Sequence, residues 1–433
     1  MLLGTFTLRL STGITGFALV YYLRELGIHH RALDQLLGLE HGRDPGAITI
    51  GVLAALFYLS ELSLSPLFGI ISDRLGHYRV MQIGPLFGFA AVLITWATVS
   101  VPIIGFTRLL EGGATASSVP SILGFIAVAT AGNEVLRGRA SARFEAATLT
   151  GLLAGYALAG FLWTFLGPET FLVNAGLYLV SLAIYRFGVD PDADAPRHER
   201  AADEPRVDLG RYRRILFGSH VWLIAPTWIA INAVIGLYTA QTLFQIVRSA
   251  TRSSRFPDQL LMGGFDPFQI SIGLIIGGVL FFAGLIYWGN RFKDLRRTTI
   301  IGYGVVGGVL IVLGAAALNH SEGLPTVVRA VETLPLIAGV FVLAGATPAA
   351  IGLLADATEA FPEDRGAIMG LYSVFLGVGQ IVGSLIGGFS AEALGFDGIL
   401  IASLVLLAVA VVPLMRLRRY EHVLGPGGET SFG

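Results

Sequence analysis

Four ionisable side chains stand inside long apolar runs of the sequence: Arg9, Glu61, Arg108 and Glu111. A carboxyl group in apolar surroundings favours its neutral form, so it can hold a proton and release it when its surroundings change. Glu61 is the first candidate for proton exchange, because no basic residue lies near it in the sequence. Two alternatives stay open: a structural pair of Glu61 with Arg9, and direct contact of Glu61 with a bound solute.

Arg108 and Glu111 lie three residues apart, so they share one face of a helix and can pair. Both are candidates for proton coupling, as is Arg9, because ionisable groups inside a membrane usually face a cavity or a partner. The alternative is a mutually neutralised structural pair. Arg108 is expected near the outer end of its helix, where its guanidinium could instead reach the membrane interface.

The composition places these side chains in a lipid bilayer. The chain has 433 residues, of which 54% are hydrophobic and 14% charged, whereas a soluble domain has about 25% charged residues. Backbone groups in lipid must bond internally, so each apolar run predicts a helix, and the fold class is all-α membrane protein. The net charge of −1 gives no indication of a nucleic-acid partner. Without cysteine, a phosphate-binding loop or a metal-ligand cluster, we expect no enzyme, no cofactor and no metal site.

The apolar runs predict twelve membrane spans in two six-helix bundles. The predicted spans are residues 2–24, 47–71, 79–99, 102–130, 141–166, 168–187, 214–247, 268–290, 298–318, 334–357, 366–390 and 393–415. The seventh is long for one helix and could include an interfacial segment around residues 211–214. The predicted domains are residues 1–189 and 214–416, joined by a polar linker at 190–213 and followed by a tail at 417–433.

Basic residues are distributed unevenly between the two sets of loops. One set, which includes both termini and the linker, holds 20 Lys or Arg residues, and the other set holds 7. Cytoplasmic loops carry the excess of basic residues. The sequence therefore predicts a multi-pass protein of the plasma (inner) membrane with both termini in the cytoplasm.

The two halves of the chain repeat each other. Residues 119–138 align without gaps on residues 347–366, a constant shift of 228, and both segments keep a proline and an Arg-Gly pair at the same places. The register continues through the glycine pairs Gly151/Gly379 and Gly155/Gly383. Spans 4 and 5 therefore correspond to spans 10 and 11, as in two bundles related by an axis along the membrane normal.

The polar turn "GIISDRLGHYR" at residues 69–79 joins the second and third spans. Gly69, Asp73, Arg74 and Gly76 match the G-x-x-x-D-R-x-G pattern at this place in the major facilitator superfamily of secondary transporters, and Arg79 stands one place after the usual basic pair. The whole chain resembles that family in span number, linker and repeat. The resemblance implies a cytoplasmic latch that favours the outward-facing state, whereas the alternative is a basic loop that serves only topology.

The second-half copy of this turn, "GLIYWGNRFKDLRR" at residues 284–297, is degenerate because Trp288 stands where the acid would be. It suggests that the latch works in one half only. Arg108 and Gly112 resemble the family's R-x-x-Q-G motif, with Glu111 in place of glutamine.

The glycines Gly151, Gly155, Gly379 and Gly383 resemble the antiporter motif of spans 5 and 11, although its proline is missing. The alternative is helix packing alone, because small residues at these spacings let helices approach closely. Polar and aromatic side chains of spans 7 and 11 are candidates for a substrate cavity, with core packing as the alternative. These candidates are Trp228, Asn232, Tyr238, Gln241 and Gln380.

The resemblance implies alternating access, with proton-coupled export of a small, amphiphilic or drug-like molecule by a monomer in the bilayer. One alternative is import of an organic acid or nutrient, which unpaired arginines facing a cavity would favour. The other is a non-transporting assembly or pigment-delivery factor, which a collapsed apolar interior would favour.

Overall fold

The computed structural model describes residues 1–37, 46–130, 134–191, 224–249, 254–291, 294–357 and 365–424. These residues are organised in helices. The N-terminal half contains α1 (Leu2–Leu37), α2 (Ala47–Leu75), α3 (His77–Val80), α4 (Ile83–Ala97), α5 (Val101–Ala129), α6 (Glu134–Leu166) and α7 (Thr170–Gly188). The C-terminal half contains α8 (Ile224–Ile246), α9 (Pro267–Asn290), α10 (Arg297–Asn319), α11 (Thr326–Leu343), α12 (Ala346–Ala357), α13 (Arg365–Leu394) and α14 (Phe396–Leu424).

Eleven stretches within these described ranges are long and apolar enough to cross a membrane. The longest, Arg143–Gly188, has 46 residues, about 69 Å of helix at 1.5 Å per residue and roughly twice the hydrocarbon thickness. It is divided by a 3₁₀ turn at Gly167–Glu169, where Gly167 has a φ of 56°. The stretch therefore contains two crossings, α6 and α7, and the described chain provides the twelve predicted spans.

Several predicted boundaries differ from the structure. Helix α1 continues to Leu37 instead of ending at 24, and the tenth span begins at Thr326 instead of 334. The helices extend because their backbone bonds persist past the apolar run into polar sequence. The predicted start of the seventh span, with the segment at 211–214, lies outside the described residues.

The chain divides into two compact units. The N-terminal unit comprises Met1–Ala202 with Phe265–Ile275, and the C-terminal unit comprises Asp203–Gly264 with Ile276–Gly433. The first division falls inside the stretch predicted as a linker, whose residues from 192 onward lie outside the described ranges. The predicted second bundle at 214–416 differs from the C-terminal unit, because Phe265–Ile275 groups with the N-terminal unit.

In the N-terminal unit, α1 packs along α6 and α7, and α2 packs along α5. Glycine sets the closest approach of α1 to α6: a Cβ on Gly155 would lie 2.9 Å from the Cα of Gly13 and would clash with the carbonyl oxygen of Leu10. Gly151 faces the Cβ of Arg9 in the same way. Gly151 and Gly155 therefore act as packing residues, whatever their further role.

In the C-terminal unit, α8 and α13 make the corresponding crossing. A Cβ on Gly379 would lie 2.6 Å from the Cβ of Asn232, and a Cβ on Gly383 would clash with the carbonyl oxygen of Ala233. Gly151 meets three residues of α1, and Gly379 meets three residues of α8. The residue numbers of the two sets differ by a constant 223, so Arg9 corresponds to Asn232. The structure thus extends the sequence repeat to the first and seventh spans.

Candidate functional site

Arg108 and Glu111 of α5 form an ion pair inside the N-terminal unit. Arg108 is 9% exposed and Glu111 is 2% exposed, so the guanidinium stays in the bundle and does not reach the interface. The Arg108 Cζ also lies 4.9 Å from the centre of the Phe57 ring on α2. Gly112 makes this approach possible, since a Cβ there would lie 2.8 Å from the Cβ of Ser60.

Arg9 of α1 approaches the same face of α5. Its Nη1 donates a hydrogen bond of 3.4 Å to Oγ1 of Thr115, which stands one turn beyond Glu111. The positive charge of Arg9 acts on two carboxylates, Glu61 of α2 and Glu145 of α6. Arg9 is therefore shared between two acids, whereas Arg108 has an acid of its own.

Glu61 differs from Glu111 in its surroundings. Within the described residues, its carboxylate has neither a hydrogen-bond partner nor an ion-pair partner within 4.0 Å. The charge of Arg9 reaches it from a longer distance. The structural Glu61–Arg9 pair considered as an alternative is thus absent as a direct contact in this conformation.

Two tyrosines complete the surroundings of the buried charges, and the sequence reasoning missed both. Tyr58 of α2 lies within electrostatic reach of Glu61, Arg108 and Arg9. Tyr156 of α6 stacks on Phe17 with ring centres 4.3 Å apart. The position of Tyr58, one turn before Glu61, is the signal that could have identified it. We call Arg9, Glu61, Arg108, Glu111 and Glu145 the membrane charge cluster.

The polar turn at residues 69–79 ends α2 and begins α3. Gly76 has a φ of 90°, a backbone conformation that favours glycine. Asp73, Arg74 and Arg79 are exposed, and the Asp73 Oδ1 lies 3.8 Å from the His77 Nε2. Gly69 makes no close helix approach, because an added Cβ would meet only the Pro120 Cβ at 4.0 Å.

The tight contact of this turn lies at His77 instead. The His77 ring packs against Gly124 of α5, where an added Cβ would lie 2.6 Å from the ring. The repeat position of Gly124 is Gly352 of α12, and the Arg297 guanidinium packs against it. In both halves a side chain that follows the turn, His77 or Arg297, therefore packs on the equivalent glycine. The second turn keeps more of this packing than its sequence suggests.

Trp288 explains the missing acid of the second turn. Its ring packs against Gly345, at the break between α11 and α12. Its Nε1 donates a hydrogen bond of 3.1 Å to the carbonyl oxygen of Phe341. In an unbroken helix that oxygen would accept from Gly345, but the Gly345 N–H bonds to Val342 at 3.4 Å. Trp288 thus stabilises a helix break, a role that an aspartate could not fill.

The candidate substrate residues divide into two groups. Asn232, Gln241 and Gln380 lie at the α8–α13 crossing, next to Gly379, Gly387 and Gly236 respectively. Trp228 belongs to the hydrophobic core of the C-terminal unit, and Tyr238 packs against that core. This placement favours the packing alternative for the two aromatic residues.

The amides at the crossing are buried. Nδ2 of Asn232 donates a hydrogen bond of 2.9 Å to the carbonyl oxygen of Trp228, which fixes the orientation of the amide. Gln380 is 5% exposed, and its Oε1 makes no hydrogen bond within the described residues. The residue of the C-terminal unit that corresponds to Arg9 is Asn232, so a neutral amide stands where the N-terminal unit has a positive charge.

Twelve helical spans, a parallel repeat and buried ionisable groups define a multi-pass membrane transporter of the two-bundle type. The family model described as Major Facilitator Superfamily matches residues 1–331 and 264–431. The chain belongs to this superfamily, and it is a transporter and not an enzyme.

Curated relatives and solved structures agree with this assignment. The chain is 23% identical over 343 residues to Multidrug resistance protein 2 of Bacillus subtilis (strain 168). The aligned region covers 78% of this chain and 79% of the relative. It is 21% identical over 384 residues to Quinolone resistance protein NorA of Staphylococcus aureus (strain MRSA252), and this alignment covers 88% of this chain and 87% of the relative. A crystal structure of a point mutant of the nucleoside transporter NupG superimposes with a TM-score of 0.66 at 14% identity over 96% of this chain and 99% of that one. The last similarity concerns the fold alone.

Proposed function

We propose that this transporter exports small, amphiphilic or drug-like molecules in exchange for protons. The observation that carries the proton coupling is the Glu61 carboxylate, which stands inside the bundle with no direct partner among the described residues. The names of the relatives, two multidrug resistance proteins and a quinolone resistance protein, support export.

The charge balance of the membrane charge cluster supports proton uptake. Arg108 and Glu111 neutralise each other in their ion pair. Arg9 then faces two carboxylates, so that one of them, Glu61 or Glu145, is in excess when both are ionised. Binding one proton removes the excess charge, and an uncompensated charge inside a membrane is costly. Glu61 is the better carrier, because Glu145 stands only two residues beyond the beginning of the apolar stretch at Arg143.

The two alternatives receive less support. Import of an organic anion would be served by arginines free to bind it, but Arg108 is engaged by Glu111. A non-transporting role would suit an apolar interior, but the N-terminal unit contains the membrane charge cluster, of which Arg108 and Glu111 are buried. The proposal further places both termini and the turn at 69–79 in the cytoplasm, on the excess of basic residues in those loops.

The proposal is tested in proteoliposomes with an imposed pH gradient. The substrates are ethidium and the tetraphenylphosphonium ion, two lipophilic cations. Wild type should accumulate at least one of them against its gradient, and Glu61→Gln should abolish this accumulation while exchange without a pH gradient continues. Glu392→Gln is the matched control, because Glu392 is a carboxylate at the C-terminal end of α13, paired with Arg255 at 3.1 Å. Undiminished gradient-driven transport by Glu61→Gln would exclude Glu61 as the proton carrier.

A further inference from the structure

We infer that the Gln380 side chain is the hydrogen-bond acceptor of the substrate site, which therefore takes solutes that carry an N–H or O–H donor. The inference rests on the proposed function and specifies the chemistry of its substrate. Gln380 is 5% exposed, and within the described residues its Oε1 has no hydrogen-bond partner. A buried acceptor without a donor is unfavourable, because the desolvation of the group is not compensated.

A second acceptor lies on the same face of α13. Ser384 stands one turn beyond Gln380 and is fully buried, and its Oγ also has no hydrogen-bond partner in the described part of the chain. Residues four apart on a helix are neighbours. Two successive turns of α13 thus present polar atoms that the protein does not satisfy in this conformation, as expected of groups that a solute contacts during transport.

The repeat shows that the fold does not require an amide at this position. Gly13 in α1 and Gly236 in α8 are equivalent, and an added Cβ on them would meet the carbonyl oxygens of Leu152 and Gln380, respectively. Leu152 therefore corresponds to Gln380, and the N-terminal unit makes the same helix crossing with an apolar side chain. The glutamine is then a feature of the site and not of the packing.

The neighbouring residues set the chemistry of the solute. Helix α8, which Gln380 contacts at Gly236, contains no charged residue. The nearby Asn232 uses its amide N–H on the Trp228 carbonyl oxygen. At this crossing α8 and the Gln380 and Ser384 side chains therefore offer neutral oxygen acceptors and no charge, which fits an amine, an amide or a hydroxyl donor on an otherwise apolar molecule.

Gln380→Leu tests this inference with two probes of equal charge. Ethidium has aromatic amino groups that donate hydrogen bonds, whereas the tetraphenylphosphonium ion has no N–H or O–H. Entrapped DNA reports ethidium uptake by fluorescence, and an ion-selective electrode reports the second cation. We expect ethidium transport to fall about tenfold, the loss of about one hydrogen bond, and transport of tetraphenylphosphonium to be unchanged.

Controls separate this inference from folding and from the proposed function. Leucine occupies the repeat position, so Gln380→Leu should unfold at the wild-type temperature. Gln82→Leu makes the same chemical change at a residue whose amide bonds to the carbonyl oxygen of Tyr78, and it should transport both cations like wild type. An equal fall for both probes, or no fall for ethidium, overturns the inference alone. Absence of transport of both by wild type overturns the proposed function and the inference with it.

Discussion

Arg108 and Glu111 are paired one helical turn apart on α5, and both are buried inside the N-terminal unit. The repeat positions in α11, shifted by 228 residues, are Leu336 and Gly339. A Cβ on Gly339 would lie 2.7 Å from the Ile311 side chain, so close packing replaces the ion pair there. The fold therefore tolerates this place with or without charge, and the pair is a property of one half.

The first prediction concerns the stability of this pair. Glu111→Ala should lower the free energy of unfolding by about 3–5 kcal/mol, because it leaves the Arg108 guanidinium buried without a counter-charge. Arg108→Leu combined with Glu111→Ala should recover most of this loss, since the double variant resembles the uncharged repeat. Thermal unfolding in detergent measures both. As a control, Glu392→Ala removes a partly exposed partner of Arg255 and should cost about 0–1 kcal/mol.

If the double variant is as unstable as Glu111→Ala alone, the buried charge is not the cause of the destabilisation. The cycle of single and double variants gives the coupling energy of the two residues directly.

The second prediction concerns the glycines of the two helix crossings. Gly155→Ala and Gly383→Ala place a methyl group against the carbonyl oxygens of Leu10 and Ala233. Overpacking of this kind costs about 1–3 kcal/mol, so both variants should give less monodisperse protein in size-exclusion chromatography. Gly176→Ala is the matched control, because the added Cβ meets no atom within 4 Å. Wild-type behaviour of all three variants would contradict the crossing as described.

The fold could be predicted from the sequence because its main determinants are local. Apolar runs of span length must form helices in lipid, and the shift of 228 residues is visible without alignment gaps. The break after Leu343 could not be predicted: Pro335 is the evident helix breaker, yet α11 continues through it. The break instead depends on Trp288, which is distant in sequence and fills the space at Gly345.

The site was predicted only in part, for the same reason. Glu61, Arg108 and Glu111 could be identified, because a charge within an apolar run is conspicuous. Tyr58 could have been identified by its place one turn before Glu61, but Tyr156 could not, because aromatic residues are common in spans and only the tertiary structure brings it to the charges. The correspondence of Arg9 with Asn232 was equally hidden, since α1 and α8 share no evident sequence pattern beyond Gly13 and Gly236.

The third prediction concerns Trp288 at the helix break. Trp288→Phe keeps a ring against Gly345 but removes the donor to the Phe341 carbonyl oxygen, so it should cost about 1–3 kcal/mol for a buried acceptor left unsatisfied. Trp288→Ala also creates a cavity and should cost about 3–5 kcal/mol. Trp96→Phe is the control, because Trp96 is an exposed tryptophan. Equal unfolding temperatures for Trp288→Phe and Trp96→Phe would show that the hydrogen bond is not stabilising.

The last prediction concerns the proposed latch at residues 69–79. Asp73 is exposed and lies 3.8 Å from the His77 Nε2, so Asp73→Asn should leave the unfolding temperature unchanged but alter the balance of inward-open and outward-open states. Gly124→Ala should act on the same balance through His77, because the added Cβ would lie 2.6 Å from the imidazole ring. The sequence contains no cysteine, so cysteines introduced on opposite sides of the membrane report the balance by their labelling rates. Arg418→Gln is the charge control, because Arg418 is an exposed basic residue of α14, outside the turn. A wild-type balance in both Asp73→Asn and Gly124→Ala would leave the turn with topology as its function.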